Sequence, residues 1–301
     1  GYSGSPTKRC RLFKNLGDGR YRDETESSGL GFRGFCHGII VGDIDNDGDA
    51  DVFLATYKQN TLFLNKGNGT FQDVTSQAGV KSQAWSSGGA FFDADNDGDL
   101  DLYVSNYGEW EYPRDDTFCG DKEKSIRLYC SPRTIRTVKH LFYRNNGDGT
   151  FTDATDAAGF SRSDGHGFGV VAADLNADGR TDLYIANDMN PNFLYLNKGD
   201  GTFEDLTEIS GAAFDERGQA QSGMGVDAED INGDGRPDLF VTNFANEYNT
   251  LYDNLAVEDP KSSDPKGIKT VAFLDTTAYV GLAADSMPWV GWGCALADWD
   301  S

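Results

Sequence analysis

The chain has 301 residues, with 49 acidic side chains against 26 basic ones and a formal net charge of −23. That balance excludes nucleic acid as a partner and docking on anionic lipid, both of which require a basic surface. No apolar run is long enough to insert in a membrane; no signal peptide is visible, although an exported protein loses its signal on maturation.

In chain order, the first element is a hairpin. NLGDGRY from Asn15 sets Asp-Gly between hydrophobic residues, a strong hairpin signal because both turn residues tolerate positive φ. A glycine-bearing apolar strand then leads into the acidic turn DIDNDGDAD from Asp43, and DVFLAT follows as a strand. The second hairpin is NKGNGTF from Asn65, and the second acidic turn is DADNDGDLD from Asp93, with DLYVSN after it. Tyr107 to His140 is too long for an ordinary hairpin connection and reads as an insertion. Beyond it come the hairpin NNGDGTF (Asn145), the strand GFGVVAAD, the turn DLNADGRTD from Asp174, the strands DLYIAN and NFLYLN, and the hairpin NKGDGTF (Asn197). The fourth turn, DINGDGRPD, starts at Asp230 and leads into DLFVTN. FLDTT from Phe273 copies the strand after each hairpin, with Asp253 to Thr270 in place of the turn; that stretch, rich in Lys, Asp, Pro and Ser, reads as an exposed loop. A fifth acidic turn opens at Asp298 and reaches Asp300.

Oxygen side chains at positions 1, 3, 5 and 9, with glycine at position 6, predict a loop whose carboxylates face one centre, a hard-cation site for which calcium is the expected ion. The expected ligands are Asp43, Asp45, Asp47 and Asp51; Asp93, Asp95, Asp97 and Asp101; Asp174, Asn176, Asp178 and Asp182; and Asp230, Asn232, Asp234 and Asp238. Position 7 (Asp49, Asp99, Arg180, Arg236) tolerates arginine and is expected to offer its backbone carbonyl. One Ca2+ per complete turn gives about four ions, with a fifth if the turn holding Asp298 and Asp300 is completed. An EF-hand would need an acid at position 12, where Leu54, Val104, Ile185 and Val241 stand instead. The plainer alternative is a set of solvated Asp/Gly turns without an ion.

Each unit contains an inner strand, the acidic turn, a second strand, a third, the glycine hairpin and a fourth. Four antiparallel strands recurring every fifty to eighty residues predict an all-β fold, a β-propeller of four-stranded blades with calcium-binding hairpin loops. A calcium β-helix has a far shorter repeat, and the WD40 signature positions are missing. About five blade units are visible, and the chain is expected to be one propeller domain over 1–301, truncated at both ends. The paired D-x-D/N-x-DG-x-x-D and N-x-G-D-G-T-F motifs, the YCSP segment at Tyr129 to Pro132, AND-x-x-PN around Asp188, and QSGMGVDAED before the fourth turn resemble FG-GAP/VCBS-type repeat proteins, most of all the cartilage acidic protein and ASPIC/UnbV group. The resemblance implies an integrin-α-like propeller, commonly seven-bladed, secreted or on the cell surface, with calcium in the hairpins and a role in adhesion or matrix association.

Cys119 and Cys130 stand eleven apart inside the insertion and are expected to form a disulfide, the alternative being two free thiols. Cys10, Cys36 and Cys294 leave an odd count, with pairing open. Strand parity sets the acidic turns and glycine hairpins on one face and the insertion, 107–140, on the other. The insertion's Trp110, Tyr112, Arg114, Tyr129, Arg133 and Arg136 form either a ligand or partner surface or a lid with its aromatics packed inward. Trp85, His166, Asp188, Asn190, Asn192, Arg217, Glu247 and Trp289 are expected on the same face. Trp85, Trp289, Trp292 and His166 read first as packing residues, and Asp188 as an Asx turn.

Three functions follow. The first is a non-enzymatic binding, adhesion or assembly module, secreted, periplasmic or at the cell surface, whose partner is an extracellular protein or glycan. The second, supported by fold analogy alone, is a carbohydrate-active enzyme of sugar lyase or dehydratase type, with His166, Asp188, Asp164 and Glu247 as its acid-base candidates. The third is self-assembly as a subunit of an extracellular filament or surface layer.

Overall fold

The computed structural model describes residues 9–255, 257–258 and 269–298. A leading hairpin, β1 (Phe13–Asn15) and β2 (Tyr21–Asp23), pairs as a two-stranded sheet. The first blade follows: β3 (Cys36–Gly42), β4 (Asp51–Thr56), β5 (Thr61–Asn65) and β6 (Phe71–Asp73), each antiparallel to the next. Blade two is built from β7 (Trp85–Phe92) and β8 (Asp101–Gly108). It is interrupted by the short hairpin β9 (Cys119–Asp121) and β10 (Ile126–Leu128), then completed by β11 (Leu141–Asn145) and β12 (Phe151–Asp153). Blade three is β13 (Gly167–Ala173), β14 (Asp182–Asn187), β15 (Phe193–Asn197) and β16 (Phe203–Asp205). Blade four contains β17 (Val226–Glu229), β18 (Asp238–Val241) and β19 (Thr250–Asn254), with β20 (Val257–Glu258) and β21 (Lys269–Thr270) pairing outside it before β22 (Phe273–Asp275) closes the sheet. The loop expected from Asp253 begins later, because Asp253 and Asn254 pair with Leu274 and Phe273; residues 256 and 259–268 of that stretch lie outside the described residues.

Every core is shared between neighbours, which makes the fold a propeller. Phe53, Ala55 and Leu62 of blade one pack with Leu102, Val104 and Tyr143 of blade two. Phe92, Tyr103 and Phe142 of blade two meet Leu183, Ile185 and Phe193 of blade three, and Tyr184, Ala186 and Leu194 of blade three meet Leu239, Val241 and Tyr252 of blade four. Consecutive residues of a second strand therefore face opposite neighbours, so a run such as DLYIAN is buried on both sides, with Leu183 to Ala186 between Asp182 and Asn187 free of charge.

The inner strands stand side by side around a central cavity of about 280 Å³. Glycine permits the approach: a Cβ on Gly88 would lie 2.4 Å from the Phe168 carbonyl oxygen, and one on Gly169 would lie 2.7 Å from that of Met224. The amide of Gly169 donates to the same Met224 oxygen at 2.7 Å.

Candidate functional site

The acidic turns join the first and second strands of all four blades. In each, the first aspartate accepts the amides of positions 5 and 6: Asp43 from Asp47 and Gly48, Asp93 from Asp97 and Gly98, Asp174 from Asp178 and Gly179, Asp230 from Asp234 and Gly235. The chain must turn left-handed at positions 4 and 6 to allow this. Asn46 and Asn96 have φ of 59° and 60°, and Gly48 and Gly98 have φ of 92°, conformations that Asn and Gly adopt most readily.

The ninth-position aspartates Asp51, Asp101, Asp182 and Asp238 are buried. One oxygen of each accepts the amide of position 2 (Ile44, Ala94, Leu175, Ile231), and the other accepts the amide of the asparagine that opens the glycine hairpin (Asn65, Asn145, Asn197, Asn254). Burial raises all four carboxyls, Asp101 to about 6 and Asp182 to about 7. The asparagine side chains then cross to the preceding blade. Asn145 Nδ2 donates to the Ile44 carbonyl at 2.9 Å, Asn197 to Ala94 at 2.8 Å and Asn254 to Leu175 at 2.8 Å. The repeated asparagine was visible in the sequence, but its partner lies about a hundred residues away and no local signal points to it.

Carboxylate oxygens of Asp43, Asp45 and Asp51 lie within 4.8 Å of one another, as do those of Asp93, Asp95 and Asp97. Oxygen donors alone, closing on one point, are the set that a hard cation takes. Burial and the neighbouring carboxylates push Asp45 and Asp95 up, the mark of charge crowding that a cation would relieve. Among the described residues, Asp95 Oδ1 is buried without a hydrogen-bond partner, and its Oδ2 lies 3.6 Å from Arg144 Nε. Asp47 and Asp97 accept the amides of Asp49 and Asp99. Asp99 accepts the side-chain amide of Asn46 at 2.8 Å, joining turns one and two.

Turns three and four are balanced differently. Arg180 and Arg236 fold back onto Asp178 and Asp234, and their Nε atoms donate to the Asn197 and Asn254 carbonyls at 3.0 and 2.8 Å. Asn176 bonds to Asp178, and Asn232 accepts the Asp234 amide. The arginine side chain thus supplies positive charge within the turn, a role beyond the backbone contribution expected of position 7. Asp298 is exposed, and Asp300 lies outside the described residues.

The glycine hairpins lie beside the acidic turns: Gly67 and Gly147 approach the carboxylates of Asp49 and Asp99 so closely that a Cβ would sit 2.7 and 2.8 Å away. The insertion connects the second and third strands of blade two, and Cys119 and Cys130 form a disulfide. Its rings are only partly turned inward. Trp110 packs against Tyr57 and Tyr112, whereas Tyr112 is 49% and Tyr129 103% exposed. Arg114 pairs with Asp115, Glu109 and Glu111, Arg136 with Glu109, and Arg133 is exposed.

His166 is buried, with Nδ1 against Asn190 and Nε2 3.1 Å from the Ile135 carbonyl. Asp188 accepts the Tyr107 hydroxyl at 2.8 Å, so its bond runs to the neighbouring blade and the expected local Asx turn gives way to it. Trp85 packs among His37, Tyr57 and Tyr107 as expected. The Trp292 ring meets Phe168 edge-on, with centroids 6.0 Å apart, although it stays 60% exposed, and its backbone carbonyl accepts the Thr242 hydroxyl; Trp289 departs from the expected packing and is 71% exposed.

Among the described residues, no helix is long and apolar enough to cross a membrane. Cartilage acidic protein 1 of Homo sapiens is 32% identical over 132 residues, covering 41% of this chain and 19% of that protein. The Xenopus tropicalis protein is 29% identical over 147 residues, covering 42% and 22%. The chain thus aligns with about a fifth of the length of these curated relatives. Among solved structures, an Agrocybe aegerita lectin described as recognising non-reducing terminal N-acetylglucosamine superposes with a TM-score of 0.42 and 20% identity, over 81% of this chain and 57% of that one. The intramolecular trans-sialidase of Ruminococcus gnavus gives 0.38 and 11%, over 89% and 49%. A model of the FG-GAP-like repeat matches residues 2–54, 43–104, 139–185 and 174–241. These matches cover more than half of the sequence and each ends just past an acidic turn, and the chain belongs to the FG-GAP-like repeat family.

Proposed function

We propose that this protein is an extracellular, non-enzymatic binding module in which calcium braces one face of the propeller and the insertion face engages a protein or glycan. The convergence of Asp43, Asp45 and Asp51, and of Asp93, Asp95 and Asp97, carries the reading. Calcium, held by these oxygens, would supply positive charge where turns one and two have no arginine at position 7, adding in turn two to Arg144, whose Nε lies 3.6 Å from Asp95. The Cys119–Cys130 disulfide supports an oxidising compartment. The acid-base candidates favour binding over catalysis, since each serves a structural bond: Asp188 to Tyr107, Glu247 to the Ser222 amide, Asp164 to Arg162, and His166 beside Asn190.

Metal analysis together with thermal melts tests the brace. One calcium per complete acidic turn is expected, and excess EDTA is expected to lower the Tm, because an ion held a hundredfold above its Kd stabilises by about 2.7 kcal/mol. Metal-free protein with an unchanged melt would overturn the reading.

A further inference from the structure

The geometry points to a saccharide-binding site for uncharged sugars in the cavity between the insertion hairpin and the aromatic ledge of blades one and two. It deepens the proposed ligand face and rests on that reading. The cavity measures about 450 Å³, within the range of small-ligand sites. Trp85, Trp110, Tyr112 and Tyr129 line it together with Asp116 and Arg127.

The ledge is fixed before a ligand arrives. Trp110 Nε1 donates to the Asp115 carbonyl at 3.0 Å, and the Trp110 carbonyl accepts the Tyr57 hydroxyl at 2.8 Å. The Tyr57 ring contacts both Trp85 and Trp110, with centroids 6.2 Å apart in each case. The disulfide holds the opposite wall. Beside this packed ledge the exposed rings of Tyr112 and Tyr129 suit the C–H face of a pyranose ring, because aromatic side chains give contact area at little entropic cost. Trp110 also walls a second cavity of about 530 Å³ whose exposed Gln83 offers a donor and an acceptor to the hydroxyls of an adjoining sugar.

Charge selects the sugar class. Arg127 is paired with Asp116 and Arg114 with Asp115, Glu109 and Glu111, so no cation of the wall awaits a carboxylate or sulfate. The net charge of −23 repels anionic ligands further. The carboxylates are paired in the same bonds and offer little to a cationic peptide. A neutral oligosaccharide needs neither.

Calorimetry of the calcium-loaded protein with neutral tetrasaccharides of glucose, galactose and mannose, their sialylated or sulfated counterparts, and cationic and acidic peptides tests the site. At least one neutral tetrasaccharide is expected to bind in preference to every charged probe. Tyr129→Ala and Tyr112→Ala, both at exposed positions, are expected to keep the wild-type Tm and to weaken that binding about tenfold each. Silence from all neutral probes, preference for a charged glycan or a peptide, or unchanged affinity in both variants would overturn the assignment. The calcium reading fails separately, through metal analysis, and glycan binding that persists without metal would leave this site standing.

Discussion

His140 shows how burial sets the behaviour of a single residue. It is 3% exposed, its Nδ1 lies 2.9 Å from the Tyr103 hydroxyl, and the Phe193 ring packs against it. Burial holds the imidazole neutral and lowers its pKa from the usual 6.5 to about 4. The unfolded chain therefore binds the extra proton between pH 6.5 and about 4, so the contribution is complete above 6.5 and is lost as pH falls through that window. The loss is on the order of 3 kcal/mol. His140→Gln, which keeps an acceptor for Tyr103, is expected to flatten the fall in Tm between pH 7 and pH 4 relative to wild type; parallel curves would contradict the assignment. Single-residue roles were the least legible part of the sequence. The acidic positions could be read because their spacing repeats within nine residues, whereas the Tyr107–Asp188 bond spans 81 residues and two blades. The exposed ring of Trp289 was missed because a tryptophan near the glycines of an inner segment looks the same in a sequence whether or not its ring packs.

At the scale of the element, each turn, strand and hairpin followed its local pattern, and the connections between them did not. The hairpins open on Asn as expected, but Asn145, Asn197 and Asn254 also tie the first three acidic turns to the following blades. Among the described residues, the side-chain partners of Asn65 are its own blade's Ala50 carbonyl and the Gly67 amide, which supplies an internal control. Asn197→Ala removes bonds to the buried Ala94 and Thr181 carbonyls and to the Gly199 amide, and is expected to cost roughly 2–4 kcal/mol. Asn65→Ala should cost about 1 kcal/mol; equal losses in denaturant melts would remove the inter-blade role. The insertion stands outside this lattice. Its strands are exposed or half-buried, so replacing Cys119 and Cys130 together by Ala should open the segment to limited proteolysis while shifting the global Tm little. A large shift would make the insertion part of the cooperative core.

Across the whole molecule, the propeller depends on how closely its inner strands can approach the axis. Hydrophobic cores between blades draw the sheets together, and the glycines of the inner strands set the limit of that approach. At Gly88 a methyl group would lie 2.4 Å from the Phe168 carbonyl oxygen, a backbone atom that cannot rotate away. Gly293, on the segment that follows blade four, has none of the described residues' atoms within 4 Å of the same added methyl, its chain neighbours aside. Gly88→Ala therefore has to wedge blade two from blade three, weakening the shared packing of Tyr103, Phe142 and Ile185, and is expected to cost about 1–3 kcal/mol. Gly293→Ala should be close to neutral. If the two substitutions melted alike, the close approach of inner strands would not limit stability. If Gly88→Ala also weakened the proposed cation binding at turns one and two, the axis and the rim would be coupled, because β7, which carries Gly88, runs directly into the turn that starts at Asp93. A displaced blade would then separate Asn46 from Asp99, 2.8 Å apart in the intact structure, and the two acidic turns would lose their shared register before either lost a ligand.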